Sequence, residues 1–185
     1  TRSNTQTQTH LFHLTSQYTL GDVQAYAYLL DDDNTGANDH NTFGLSFDGG
    51  YDFSEAHRAL WRAEWARQMD AAENTRDFDV DYLHLIAGGT WYMATLKVGY
   101  ELLGTDNNRA SFSTPLATKH KFNGWADAFL TTPIMGLEDT YVDLSLKLLK
   151  DVKLGLAWHD FGADKGGDFG DEIDAQLTWK TCENS

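Results

Sequence analysis

The chain has 185 residues, enough for one domain with a core of its own. Apolar residues make up 41% and charged residues 23%, and no apolar run approaches the ~18 residues of a membrane helix. That excludes a helical membrane protein but not a transmembrane β-barrel, whose strands are only half apolar; the net charge of −14 argues against a nucleic-acid partner, because phosphate recognition needs Lys and Arg.

Alternation of apolar and polar residues predicts strands over 9–18, 22–31, 42–51, 57–68, 78–88, 93–103, 139–149, 152–160 and 172–180. The segment "HRALWRAEWARQMDAA" also fits a helix. Its Ala59, Trp61, Ala63 and Trp65 alternate with Arg62 and Glu64, which favours a strand. The clearest case is "ATLKVGYELLG": Ala94, Leu96, Val98, Tyr100 and Leu102 fall on one side, and Thr95, Lys97, Gly99 and Glu101 on the other. Most strands have about ten residues, the length that a tilted strand needs to cross a bilayer. Two prolines suit long uninterrupted strands. Cys182, the single cysteine, can form no internal disulfide and is read as incidental.

The connections alternate between short and long. "TLGD", "GGYDFSEA", "GGTWYM" and "LKDV" are short, whereas "DDDNTGANDHN", "MDAAENTRD", the stretch 105–138 and "HDFGADKGGDFGDE" are longer and polar. In an up-and-down meander all long loops then lie at one end and all tight turns at the other, as in bacterial outer-membrane barrels. The expected fold is one all-β domain over 1–185, an antiparallel meander or partial barrel of about nine strands. Nine is odd, so closure calls for further strands of a larger barrel or for association of copies. Parity alone does not say which face is inside. Trp61, Trp65, Tyr100, Trp158 and Trp179 share the apolar face, which suits aromatic girdles at a lipid boundary. The other face carries Lys97, Glu101, Asp143, Lys147, Lys153, His159 and Asp174, which suits a wet lumen or a solvated exterior.

The segments "GYELLGTDN" (99–107), "FSTPLATKHKFNGWADAFLTTP" (112–133), "GLEDTYVDLSLKL" (136–148) and "WHDFGADKGGDFGDEIDAQLTWK" (158–180) resemble, in order and spacing, the C-terminal portion of the bacterial alginate-export-type outer-membrane proteins. The resemblance implies an outer-membrane β-barrel that passes or binds solutes. A polyuronate cargo calls for a positive lumen, which the acidic balance of this chain does not supply.

Several local patterns bear on chemistry. In "DDDNTGANDHN", Asp31, Asp33 and Gly36 keep the spacing of a calcium loop, but position twelve is Thr42 rather than Glu. A solvated hairpin loop is the simpler reading, weak Ca²⁺ binding through Asp31 and Asp33 the alternative, and no other cofactor is expected. The acidic "HDFGADKGGDFGDEID" lies at the same end, where divalent cations could bridge such loops to lipopolysaccharide. "ATKHKFNGWADAF" is the one basic and aromatic island. Over 116–130 it could form a short helix that folds inward, with Lys119, His120 and Lys121 attracting anions and Trp125 stacking on a sugar or apolar solute. The bland alternative has Trp125 anchoring a loop over the barrel mouth. The seven histidines form no HExxH-type pattern, and there is no GxSxG, Walker or Rossmann motif. Glu101 and Asp143 could approach across strands, with a salt-bridge network as the ordinary reading.

No enzyme is therefore expected. The first expectation is a channel or export pore in the bacterial outer membrane. Its lumen would be lined by Lys97, Glu101, Lys119, His120, Lys121, Trp125, Asp143, Lys147 and His159. Its partners would be lipid or lipopolysaccharide and a carbohydrate or other small solute. The alternative is an extracellular protein that self-associates through its edge strands into an oligomer or filament.

Overall fold

A computed structural model of the chain describes residues 7–32, 39–72, 74–115, 123–126 and 128–180. The main strands are β1 (Thr7–Tyr18), β2 (Gly21–Asp32), β3 (His40–Ser54), β4 (His57–Asp70), β5 (Asp79–Trp91) and β6 (Ala94–Leu103), followed by β9 (Leu137–Leu149), β10 (Val152–Gly162) and β11 (Asp168–Trp179). Between β6 and β9 lie the short β7 (Thr105–Asp106) and β8 (Ala110–Ser111), which pair only with each other. The nine long strands form one antiparallel sheet in the order β1-β2-β3-β4-β5-β6-β9-β10-β11, and the sheet stays open. At ~4.8 Å per strand it is about 40 Å wide.

All nine predicted strands are present, including the ambiguous 57–68, which lies within β4. Their ends differ from expectation. "GGYDF" and "GGTW" belong to β3 and β5, leaving the two-residue turns Glu55–Ala56 and Tyr92–Met93. Glycines read as turn signals are here strand positions pressed against neighbouring backbone: a Cβ on Gly88 would meet the Leu96 carbonyl oxygen at 2.4 Å. Similarly, β10 runs to Gly162 and β11 starts at Asp168, so much of "HDFGADKGGDFGDE" is strand and only 163–167 connects them. A register shift at Phe161/Gly162 and left-handed backbone at Gly166, Gly167 and Gly170 accommodate that corner. The β7–β8 ladder had no signal in the alternation, being two residues on each side. The helix expected over 116–130 is not formed by its described residues: 123–126 and 128–130 adopt bends and turns. Residues 116–122 and 127 lie outside the described residues.

The register settles which residues share a face, because directly opposed residues point the same way. One face carries Tyr26, Ser46, Arg62, Glu64, Gln68, Tyr82, Glu101, Asp139, Tyr141 and His159; the other carries Leu45, Trp65, Leu85, Leu96, Val98, Leu144, Leu156 and Trp158. The polar face is the covered one. Gln68, Asp139, Ser46 and Glu101 are 1%, 1%, 2% and 5% exposed, whereas Leu45, Trp65, Leu85, Leu96 and Val98 are 42–52% exposed. In "ATLKVGYELL" the exposed residues are Leu96 and Val98, and the buried ones are Gly99, Glu101 and Leu103. This inverts the usual order of a water-soluble sheet.

The apolar core sits at the long-loop end of the covered face. Ala66, Phe78, Val80, Leu103, Leu137 and Phe161 meet Ala110 and Phe112 from the β6–β9 connection, with Tyr82, Phe129 and Phe169 against them. That connection is tied down by polar clamps. The Gln68 amide donates to the Ser113 carbonyl at 2.9 Å and accepts from the Ser113 N–H at 2.8 Å. The single Thr105 hydroxyl proton is shared between the carbonyl oxygens of Ala110 and Ile134, 2.8 and 2.6 Å away, and the Thr105 N–H donates to Asp164 at 2.9 Å. Among the described residues, the outer edges of β1 and β11, twelve residues each, have no strand paired to them, and both strands run from the long-loop end to the short-turn end.

Two glycines are notches for tyrosine rings. A Cβ on Gly99 would lie 2.0 Å from the Tyr141 ring, and one on Gly44 would lie 2.1 Å from the Tyr26 ring. Gly99→Ala should therefore destabilise the fold by about 1–3 kcal/mol through overpacking, and Gly99→Ala combined with Tyr141→Ala should cost less than the sum of the two single changes. Urea unfolding of the three variants measures both; strict additivity would show that the ring and the notch are not coupled.

Candidate functional site on the covered polar face

The covered face is a connected set of polar side chains. Tyr141 on β9 lies across Gly99 on β6 and reaches His84 on β5 at 2.9 Å, skipping one strand. Tyr26 on β2 lies across Gly44 on β3 and donates to Glu64 on β4 at 2.6 Å. Arg62 donates to Glu64 and, at 2.6 Å, to Asp48. Tyr82 donates to Glu101 at 2.6 Å. The His159 Nδ1 lies 3.0 Å from both oxygens of Asp139, and its ring stacks between Tyr141 and Phe161, with centroids 5.4 Å from each. Buried polar groups need partners, and most of these come from a neighbouring strand, the Arg62–Glu64 pair within β4 being the exception.

A piece of the long connection is strapped over this face. Asn123, itself buried, donates its amide to Glu101 on β6 at 2.9 Å. The N–H groups of Trp125 and Ala126 donate to Glu172 on β11 at 2.5 and 2.9 Å. Residues 123–126 therefore bridge from β6 to β11, over β9 and β10. Gly124 between the two anchors has φ +87°, and a Cβ there would meet the Glu172 carboxylate at 2.7 Å, so only glycine fits. The tip of the Trp125 indole comes down over Gly155 on β10, 3.8 Å from the position a Cβ would occupy.

The residues singled out in the sequence divide accordingly. Glu101, Trp125 and His159 come together around the strap. Lys97 lies opposite Asp143 on the same face, nearer the short turns, and Lys147 is exposed close to that end, opposite Lys153. Glu101 does not face Asp143. The register puts it opposite Asp139, because the β6–β9 ladder sets Lys97 against Asp143 four residues further along. Lys119, His120 and Lys121 lie outside the described residues, as does Asp33. Asp31 lines a rim recess of about 240 Å³ with Gln8, His10, Leu30, Asn41 and Ala72, and no group of three or more His, Cys, Asp or Glu side chains among the described residues is arranged to hold a metal ion.

Sequence reading did not single out Tyr26, Tyr82, Tyr141, Gln68, Asn123 or Glu172. The tyrosines carried a signal, since all three fall on the polar parity of their strands. Their partners did not, because those depend on cross-strand register. Compared with known proteins, the chain matches no family, no curated protein and no solved structure.

The strap makes a direct prediction. Glu172→Ala removes the acceptor of two N–H groups, so the amides of Trp125 and Ala126 should exchange roughly tenfold faster or more, while Glu172→Gln, which keeps an acceptor, should change them less. Hydrogen–deuterium exchange read by mass spectrometry distinguishes the two; equal exchange in all three proteins would mean that Glu172 does not hold the strap.

Proposed function

We propose that the chain forms the wall of a bacterial outer-membrane β-barrel of the alginate-export-like type, a passive channel or export pore for a carbohydrate or other small solute. The carrying observation is the inversion of the sheet: apolar side chains bare on one face, polar side chains paired and covered on the other. In water the bare face would be costly; against lipid it is the stable arrangement. Aromatic positions add support. On the bare face Trp65, Tyr100 and Trp158 lie towards the long loops, and Tyr51, Trp91 and Trp179 lie at or near the short turns. Trp65 is opposite Leu83, eight residues from Trp91, which is about 26 Å along the strand and less once tilted, close to the ~25 Å of an apolar band. Selection of solute then rests on shape and on the charges of the covered face rather than on catalysis.

Strand direction constrains closure. Because β1 and β11 run the same way, same-facing copies cannot join β11 to β1 by antiparallel pairing. A barrel of this class needs an odd number of further strands in the gap, alternating in direction. The unpaired edges also favour a second reading, self-assembly. Antiparallel β1–β1 and β11–β11 pairing would join copies whose loops face opposite ways, building an extracellular oligomer or filament.

Size-exclusion chromatography with light scattering, with and without mild detergent, separates the readings. The pore reading expects a monodisperse species only in detergent, with step conductance in a planar bilayer; a detergent-free oligomer or filament would favour assembly. Within the pore reading, Leu85→Arg on the bare face should cost about 2–4 kcal/mol of folding free energy in vesicles, while Ser145→Arg on the opposite face should cost well under 1. Equal costs would contradict a lipid-facing Leu85.

A further inference from the structure

We infer that Trp125, held over Gly155, is a stacking platform for an uncharged sugar ring. The inference rests on the reading of the polar face as a solute path and names the solute class for it. Four observations converge. The ring is large, flat and 42% exposed although its backbone is fixed by Glu172. It lies where β10 presents only small residues, Gly155 and the buried Ala157. Polar groups flank that shelf on both neighbouring strands: Gln176 and Asp174 on β11, Ser145 on β9. Asp174 shares a side-chain hydrogen bond with Glu172, so a pair of carboxyl groups stands beside the ring.

A flat apolar surface beside amide, hydroxyl and carboxylate groups matches a sugar, which has an apolar ring face and hydroxyl groups at its edge. The ring is no part of the apolar core, which lies around Leu103, Leu137 and Phe161. Because the strap is already fixed at both ends, little ordering remains to be done on binding. The hydrogen-bonded Glu172–Asp174 carboxyl pair beside the ring carries negative charge and repels a uronate, so the platform discriminates against the acidic sugars that the family resemblance suggests.

The test is calorimetric titration of the detergent-solubilised chain with maltotetraose and with an oligogalacturonate of the same length, for the unaltered protein and Trp125→Leu. The inference expects maltotetraose to bind, the uronate to bind at least about tenfold more weakly, and Trp125→Leu to lose roughly three- to tenfold in affinity for maltotetraose with amide exchange at 123–126 unchanged. Absence of maltotetraose binding, uronate binding of equal strength, or a loss in Trp125→Leu that comes with faster exchange of the strap would each overturn it. Conductance without maltotetraose binding removes the platform and leaves the pore. Maltotetraose binding without conductance removes the pore and leaves the platform.

Discussion

Tyrosines laid across glycines hold this sheet's polar face together. A tyrosine hydroxyl can reach a partner two strands away only if the strand between has no side chain at that rung. Gly44 and Gly99 supply that gap for Tyr26 and Tyr141; the Tyr26 hydroxyl donates to Glu64, and the Tyr141 hydroxyl is hydrogen-bonded to His84. The outcome is a face on which large polar side chains lie flat, pair with one another and leave a surface onto which a loop can pack. The alternating period does the rest: once the polar residues face the loop, every apolar residue between them faces away.

The covered face has two zones. Near the long loops it is a small apolar core sealed by the β6–β9 connection, with Gln68 gripping Ser113 and Thr105 tying the connection to itself. Below that core the face is carboxylate, imidazole and phenol, with residues 123–126 strapped across it between Glu101 and Glu172. A segment fixed to both sides of a polar wall narrows whatever space that wall encloses. It also sets the Trp125 ring over β10, beside the carboxyl group of Glu172. The acidic balance of the whole chain and the local chemistry around Trp125 both oppose the binding of a polyanion.

Much of the fold could be read from the chain. Alternation located all nine long strands, and the short–long rhythm of connections placed the loops at one end. The misplaced boundaries share a cause: in "GGYDF" and "GGTW" the glycines mark close backbone approach inside a strand rather than a turn. The site was less legible. Glu101, His159 and Trp125 were visible as polar-parity or island residues, but the pairing of Glu101 with Tyr82 and Asn123, and the grip of Glu172 on the strap, depend on register and on a loop whose path no periodicity encodes. A sequence period of two says which residues share a face; it is silent on which of the two faces is dry.

The pore reading stands or falls on contact between the bare apolar face and lipid. It is tested most directly by placing single cysteines from Thr95 to Leu102 in a Cys182→Ser background, labelling each with an environment-sensitive fluorophore, and measuring quenching by brominated lipids in vesicles. The account predicts strong quenching at Leu96, Val98, Tyr100 and Leu102 and weak quenching at Thr95, Lys97, Gly99 and Glu101. Quenching on the opposite parity, or none at any position, would contradict it.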